Sequence, residues 1–468
     1  MGREIKERLK TILIYILIVS GLLQVGILWN YQNQGAPISF LEELFSNDIQ
    51  ISDETVREIL FIPDRIVVSD GEYSNSHWII TEENEFYSRF WAEARAGLTK
   101  ITSGKIKLAV TSENWDEIVE RRGFMVDFRY HLEPELLGWF LGTGDPPKDM
   151  PAFSKVMIKR DIINNDIGTF YIYGSDGAVY ASTPIRYENA ANLTNTINKL
   201  YEDVNRSNRR YYSLSGSNIQ KEEDEPDVLY AAVSPRYWPY PVLSSDLPDM
   251  AVIKESLEDI ILGSDAGRYN KYIYNDNIMQ FTYGSNIYRY YPDGYISYRY
   301  LGSAEQNPRA SVAESLMNAY QFVVKREKIY DSDAEIKLTY VKKKAGGTYE
   351  FGFDYRIGGM PVKIDYEMKD GNGGRLCYAV RILADSKRVL ECDWLVRNFK
   401  RKKFGMYNDR MLELLGKEKI LFDGINIRQT DTGYYIDNKQ SIELEPAIII
   451  ETKENKTVYL DLVPQEGD

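Results

Sequence analysis

The chain has 468 residues, of which 43% are hydrophobic, and carries a formal net charge of −13. That composition is globular rather than disordered, and the length calls for more than one core. The acidic balance disfavours DNA, RNA and anionic lipid headgroups as partners of the bulk surface.

Chemistry is narrowed further by two scarce residue types. There are two Cys, Cys377 and Cys392, and two His, His77 and His131. A zinc site of His and Cys would need all four to converge, and a Ser-His-Asp triad would have to use one of the two His. Tyr is abundant, with 36 residues, and favours pleated, half-buried surfaces.

Residues 11–29 read TILIYILIVSGLLQVGILW and contain no charge. As a helix they would span roughly 28 Å, the thickness of a bilayer's hydrocarbon core. The alternative is a buried helix of a soluble core, which would carry a polar face. Here only Ser20 and Gln24 interrupt the second half. Arg3, Lys6, Arg8 and Lys10 precede the stretch, and no Lys or Arg follows until Arg57. This asymmetry predicts a cytoplasmic tail (1–10), a transmembrane anchor (11–29) and a bulk outside the membrane. A cleaved signal peptide is the rival. The sequence Ile27-Leu28-Trp29-Asn30-Tyr31-Gln32 offers no small-residue cleavage site, and no Cys is nearby for a lipid anchor.

On a helical wheel Leu17, Ser20, Gly21, Gln24 and Leu28 share one face. Small residues let helices approach closely in lipid, and a side-chain amide seeks a partner there. The face reads as a transmembrane partner interface. The alternative places Gln24 hydrated at the outer boundary, with Ser20 bonded to its own backbone.

Beyond the anchor, residues 37–215 read as a first extracytoplasmic α+β domain. Helices are predicted over 40–45, 53–60, 84–98, 115–119, 131–140 and 190–201. Strands are predicted over 61–70 and 122–130, and a hairpin over 169–180 turns at Gly174-Ser175-Asp176-Gly177. Residues 213–226 are polar and read as a connection. The cluster Tyr237-Trp238-Pro239-Tyr240-Pro241 follows. Trp238 and Tyr240 are candidates for a binding surface, with interdomain packing as the alternative.

Residues 227–370 and 371–468 read as two further α+β modules. In the first, a hairpin near Ile278 leads to a helix capped by Asn307 with Pro308 at its first position, its core face formed by Val312, Leu316, Tyr320 and Val323. Strands 335–341 and 349–357 follow. In the second, a hairpin over 375–395 leads to a helix over 406–415 that ends at Gly416, and then to strands 420–429 and 434–463. Tyr349, Ile357 and Pro361 match Tyr434, Ile442 and Pro446 in spacing. The modules therefore read as a tandem ββαββ repeat, with two unrelated α+β domains as the alternative, and 278–468 is expected to fold alone. The fold class is α+β, with mostly antiparallel sheets and helices on one face. Cys377 and Cys392 flank the turn at Ala384-Asp385-Ser386. A two-residue turn would set them opposite each other as a disulfide; a longer one would leave two free buried thiols.

No phosphate loop, dinucleotide fingerprint or G-x-S-x-G elbow is present. The acidic run Glu222-Glu223-Asp224-Glu225 lies in the connection. No catalytic residue, metal ligand or cofactor is expected, and each His is expected to be structural.

The chain resembles the YycH family. The resemblance rests on the basic N-tail, the anchor ending in Leu28-Trp29-Asn30-Tyr31-Gln32, and Phe61-Ile62-Pro63-Asp64-Arg65-Ile66-Val67-Val68. It extends to Gly123-Phe124-Met125-Val126-Asp127-Phe128 with Leu136-Leu137-Gly138, and to the Tyr-rich strands around Gly358-Gly359-Met360-Pro361-Val362. None of these is a catalytic motif. The resemblance implies a membrane-anchored, non-enzymatic extracytoplasmic regulator of the WalK/YycG sensor histidine kinase of Gram-positive cell-wall homeostasis. It also implies a YycI-like partner and contacts between anchors within the membrane. Two other functions compete: a binding module for wall polymer or peptide, and a hydrolase with a carboxylate pair across a cleft.

Overall fold

The computed structural model describes residues 52–464, apart from 70, 72–75, 162–165, 188–189, 203–210, 214–229, 233–236, 248–268, 275–276, 303–310, 327–331, 369–373, 409–426, 438–442 and 453–456. The anchor 11–29, with its face of Leu17, Ser20, Gly21, Gln24 and Leu28, therefore lies outside the described residues, as do the expected helix 40–45 and the connection 214–226. No helix of the described residues is long and apolar enough to cross a membrane.

Helix α1 (Asp53–Leu60) starts where the Ser52 hydroxyl accepts from the Thr55 amide, and it buries Val56 and Leu60. Helix α2 (Tyr87–Thr102) buries Phe90, Ala94, Leu98 and Ile101, one stripe at helical spacing. The short helix α3 (Trp115–Val119) is capped by Asn114. Helix α4 (Pro134–Leu141) begins on a proline that needs no amide partner and stops at Gly142, whose φ of 65° suits glycine. Helix α5 spans Ala190–Glu202.

These helices serve a 10-stranded sheet, antiparallel in every described pair, centred on strands Arg65–Ser69, Gly123–Leu132 and Phe153–Arg160. Ile66, Val68, Phe124 and Val126 enter the main core under α2 and α4. Val67, Met125 and Met157 point the other way and pack under Trp115 and Ile118 of α3. Helices thus cover both faces of this sheet. The expectation of one covered face fails because these strands are apolar on both sides.

A 12-stranded sheet forms from later residues. It is antiparallel except where Met360–Ile364 runs parallel to Ile427–Ile436. The division expected at residue 370 falls inside this sheet. Tyr349–Ile357 pairs with Val380–Ala384, and Tyr295–Tyr300 pairs with Val389–Leu395. The hairpin 380–395 is inserted between strands that precede it in sequence, so pairing runs continuously across the division.

Helix α6 (Val312–Val324) buries Val312, Leu316, Tyr320 and Val323 as expected, but Ser311 is its N-cap; Asn307 and Pro308 lie outside the described residues. It packs on the large sheet and also on α1 and α4. One hydrophobic core therefore runs from Phe61 and Phe140 through Leu316 to Tyr288 and Trp394. Met406, Tyr407 and Asn408, expected to open a helix, instead end strand Asn398–Asn408, which pairs along Tyr237–Asp246 in a separate 4-stranded sheet. Residues 409–415 of that expected helix lie outside the described residues.

Candidate functional site

Strand Gly123–Leu132 alternates. Phe124, Val126, Phe128 and Tyr130 are core, while Asp127 and Arg129 share the other face with Met125. Register sets Asp127 between Arg65 and Lys155 on the neighbouring strands. The large sheet closes over this face and brings Asp354, Arg356, Lys363, Asp431 and Glu451 against it.

The result is a buried seam of five cations and five carboxylates. Arg65 donates to Asp127 at 2.9 Å and reaches Asp431 at 3.4 Å. Arg129 donates to Asp64 at 2.8 Å and to Glu451 at 3.0 Å, and pairs with Asp431. Lys363 bridges Asp354 at 2.8 Å and Glu451 at 2.6 Å. Lys155 lies 3.8 Å from Asp127, and Arg356 pairs with Asp64. The equal numbers matter, because a buried charge without a partner costs several kcal/mol. Burial opposes the charge on Arg129, yet Asp431 and Glu451 outweigh it and hold the guanidinium above its ordinary range. Burial wins at Arg356, which is drawn down to about 10 against the same two carboxylates. Arg356 donates to the backbone oxygens of Asp64 at 3.2 Å and Gly359 at 3.4 Å, while its Nε has no partner among the described residues.

Where the seam reaches the surface it opens into a cleft of about 240 Å³. Ile62, Pro63, Tyr130 and Leu338 supply its apolar wall, and Asp64, Arg129 and Arg356 its charged depth. Gly358 and Gly359, at φ of 62° and 71°, turn the chain tightly against Thr81 and Glu83. Every rim carboxylate faces a cation. Lys337 binds Glu82 at 2.9 Å and Glu335 at 3.3 Å, Arg401 meets Glu83 at 3.4 Å, and Lys400 lies 4.0 Å from Asp333. This is the pattern of a fastened seam, not of two carboxyls facing each other across a substrate.

Ser69, His77 and Glu120 also converge. The Ser69 hydroxyl donates to the Val119 carbonyl at 2.9 Å and lies 2.8 Å from His77 Nδ1; His77 Nε2 lies 3.1 Å from Glu120. Ser69 is 2% exposed and His77 is 1% exposed. The serine proton already serves a carbonyl, and no substrate reaches the oxygen. The trio ties the end of α3 to strands Arg65–Ser69 and Ser76–Ile80. His131 is exposed at the end of its strand. Among the described residues no His, Cys, Asp and Glu cluster is arranged to hold a metal ion.

Tyr240, named as a possible binding surface, is buried and packs on Tyr407 beside Ile448 and Ile450. Strand alternation turns it inward. Trp238 is half-buried on the same side. Cys377 and Cys392 are both free; Cys392 is buried, but Cys377, expected to be buried too, is exposed just outside the paired strands. The turn covers 385–388, later in the chain than Ala384-Asp385, and a bulge lies beside Ala384, so Ile382 rather than Cys377 lies opposite Cys392. The seam was missed in the sequence. Its signal is charge within otherwise apolar strands, as in Met125-Val126-Asp127-Phe128-Arg129 and Ile448-Ile449-Ile450-Glu451.

No family model matches the chain, and no curated protein matches it. A match to a solved protein from Eubacterium rectale covers 50% of this chain and 86% of that one, at 10% identity and a TM-score of 0.33. The crystal structure of YycH from Bacillus subtilis matches over 88% of this chain and 99% of that one, at 11% identity and a TM-score of 0.58. The chain shares the fold of Bacillus subtilis YycH from end to end of that structure.

Proposed function

We propose that this protein is a non-enzymatic, membrane-anchored extracytoplasmic regulator in a two-component pathway. It associates with a WalK-like sensor histidine kinase and a YycI-like protein, and it biases the kinase's conformational equilibrium. The observation that carries this reading is the shared fold over 99% of YycH. Two features support it: the uncharged stretch 11–29 behind a basic tail, and a principal polar cluster built of buried ion pairs that join the two large sheets. Leu17, Ser20, Gly21, Gln24 and Leu28 form the membrane contact in this proposal.

The test is crosslinking and co-purification from membranes, with kinase output measured in parallel. Gln24→Leu with Gly21→Leu is expected to lower both, whereas Ile14→Leu with Val19→Leu on the opposite side leaves both intact. If both pairs behave like wild type while ectodomain changes abolish association, the membrane contact is wrong. Protease added to intact protoplasts should degrade the region after Asn30; full protection of that region overturns the topology.

A further inference from the structure

We propose that the exposed segment Arg401–Phe404 of strand Asn398–Asn408, with Met406 beyond it, docks on an anionic lipid surface. Lys400, Arg401, Lys402 and Lys403 stand in a row, in a chain of net charge −13. Phe404 lies opposite Pro241 and Met406 opposite Pro239, while Gly405 and Tyr407 lie opposite Tyr240 and Trp238. The second set turns to the small core with Ile448 and Ile450. The first set faces out: Phe404 is 68% exposed and Met406 is 42% exposed. The register slips beside Leu243, leaving Lys402 as the extra residue of a bulge, a device that re-aims side chains at a sheet surface.

Three of these cations pair with carboxylates at the surface. Lys400 is 4.0 Å from Asp333, Arg401 is 3.4 Å from Glu83 and Lys403 is 3.5 Å from Glu443, all in solvent-exposed pairs. Such pairs are weak and exchange partners readily. The acidic balance of the whole chain does not forbid the contact. Screening limits a surface charge to roughly 8 Å at physiological salt, so a bilayer touching this strand responds to the local run.

The combination of groups selects the occupant. A soluble polyanion satisfies the cations but leaves Phe404 and Met406 in water. A lipid interface takes both, with Lys and Arg at the phosphates and the ring and thioether below them. The sequence adds proximity. With 11–29 in the bilayer, the stretch 30–51 reaches at most roughly 75 Å, which keeps the strand at high effective concentration near the surface. That last point rests on the membrane placement proposed above; the patch itself does not.

The experiment uses the full chain and two kinds of vesicle, pure phosphatidylcholine and a mixture with phosphatidylglycerol. The readout is the fluorescence added by Phe404→Trp and its quenching by brominated lipid. Quenching is expected on the mixed vesicles and absent on the neutral ones, and it should fall as salt rises. Reversing charge with Lys402→Glu and Lys403→Glu should weaken binding to the mixed vesicles at least about thirtyfold. Equal quenching on both vesicles, or none on either, overturns the proposal. Loss of the mixed-vesicle signal on adding soluble polyphosphate, with no loss in matched salt, assigns the strand to a polyanion and also overturns it. Flotation separates the two readings. If the chain fails to float with neutral vesicles, the anchor is wrong; flotation with mixed vesicles that the charge reversal abolishes still supports the patch.

Discussion

Arg129 and Asp431, 302 residues apart in the chain, form a buried ion pair between the two large sheets. The same guanidinium also serves Asp64 and Glu451. A single side chain thus gathers the carboxylate that immediately precedes strand Arg65–Ser69 and two from the sheet that closes over it. Replacing it with Met leaves those three carboxylates short of a cation. Breaking a buried pair from one side costs about 3–5 kcal/mol. Urea unfolding of Arg129→Met should show a loss of that order, with the slope unchanged. A loss under about 1 kcal/mol would mean that water reaches the seam.

The seam also decides whether the later part of the chain stands alone. Cutting before residue 278 removes Asp64, Asp127, Arg65 and Arg129 from the faces of Asp431 and Glu451. It also removes strand Tyr237–Asp246 from its long pairing with Asn398–Asn408. The sequence alone suggested that 278–468 folds by itself. The structure predicts that this fragment lacks a cooperative thermal transition, which calorimetry checks.

Gly97 tests the packing of α2 on its sheet. A Cβ at this position would overlap the ring of Phe170. Gly97→Ala, which raises helix propensity, should therefore destabilise by roughly 1–3 kcal/mol. A stabilised variant in thermal melts would show that helix and sheet sit further apart.

Glu113 provides a pH handle away from the seam. The hydrogen bond from Arg121 lowers its pKa against partial burial, and Tyr171 adds a second bond at 3.0 Å. A carboxyl whose folded pKa lies below its unfolded value stabilises above the unfolded pKa, near 4.3 for Glu, and that contribution fades as pH falls through the folded value. Glu113 is 37% exposed, so the effect at neutral pH is under about 1 kcal/mol. The stability difference between wild type and Glu113→Gln should be present at pH 7 and absent well below pH 4. A difference that persists unchanged into acid would assign it to packing.

The two thiols should behave differently. Burial pushes the Cys392 thiol well above its ordinary range, and it is fully enclosed. Cys377 is exposed at the surface, though local desolvation and then Asp365 raise it as well. Ellman's reagent should find one slow thiol in the native protein, with a rate that climbs with pH, and a second only after denaturation. No titratable thiol in denaturant without reductant would instead show a disulfide.

Much of the local structure was legible in the sequence because it depends on near neighbours. The apolar stripes of α2 and α6 and the strand around Asp127 follow from periodicity; the helix expected over 131–140 starts only at Pro134, because the strand before it runs on through His131 and Leu132. Pairing was not legible, because it joins residues far apart. Whether 380–395 closes a module of its own or inserts beside 349–357 depends on which edge buries more apolar surface. Both arrangements satisfy the same alternation. The inward turn of Tyr240 depends on its partner strand, and the end of that strand, 406–408, carries a helix-compatible pattern. The seam shows the limit most plainly. Asp127 and Arg129 read as ordinary polar positions on an open sheet face. Only the second sheet, by removing water from that face, turns them into groups that must find one another.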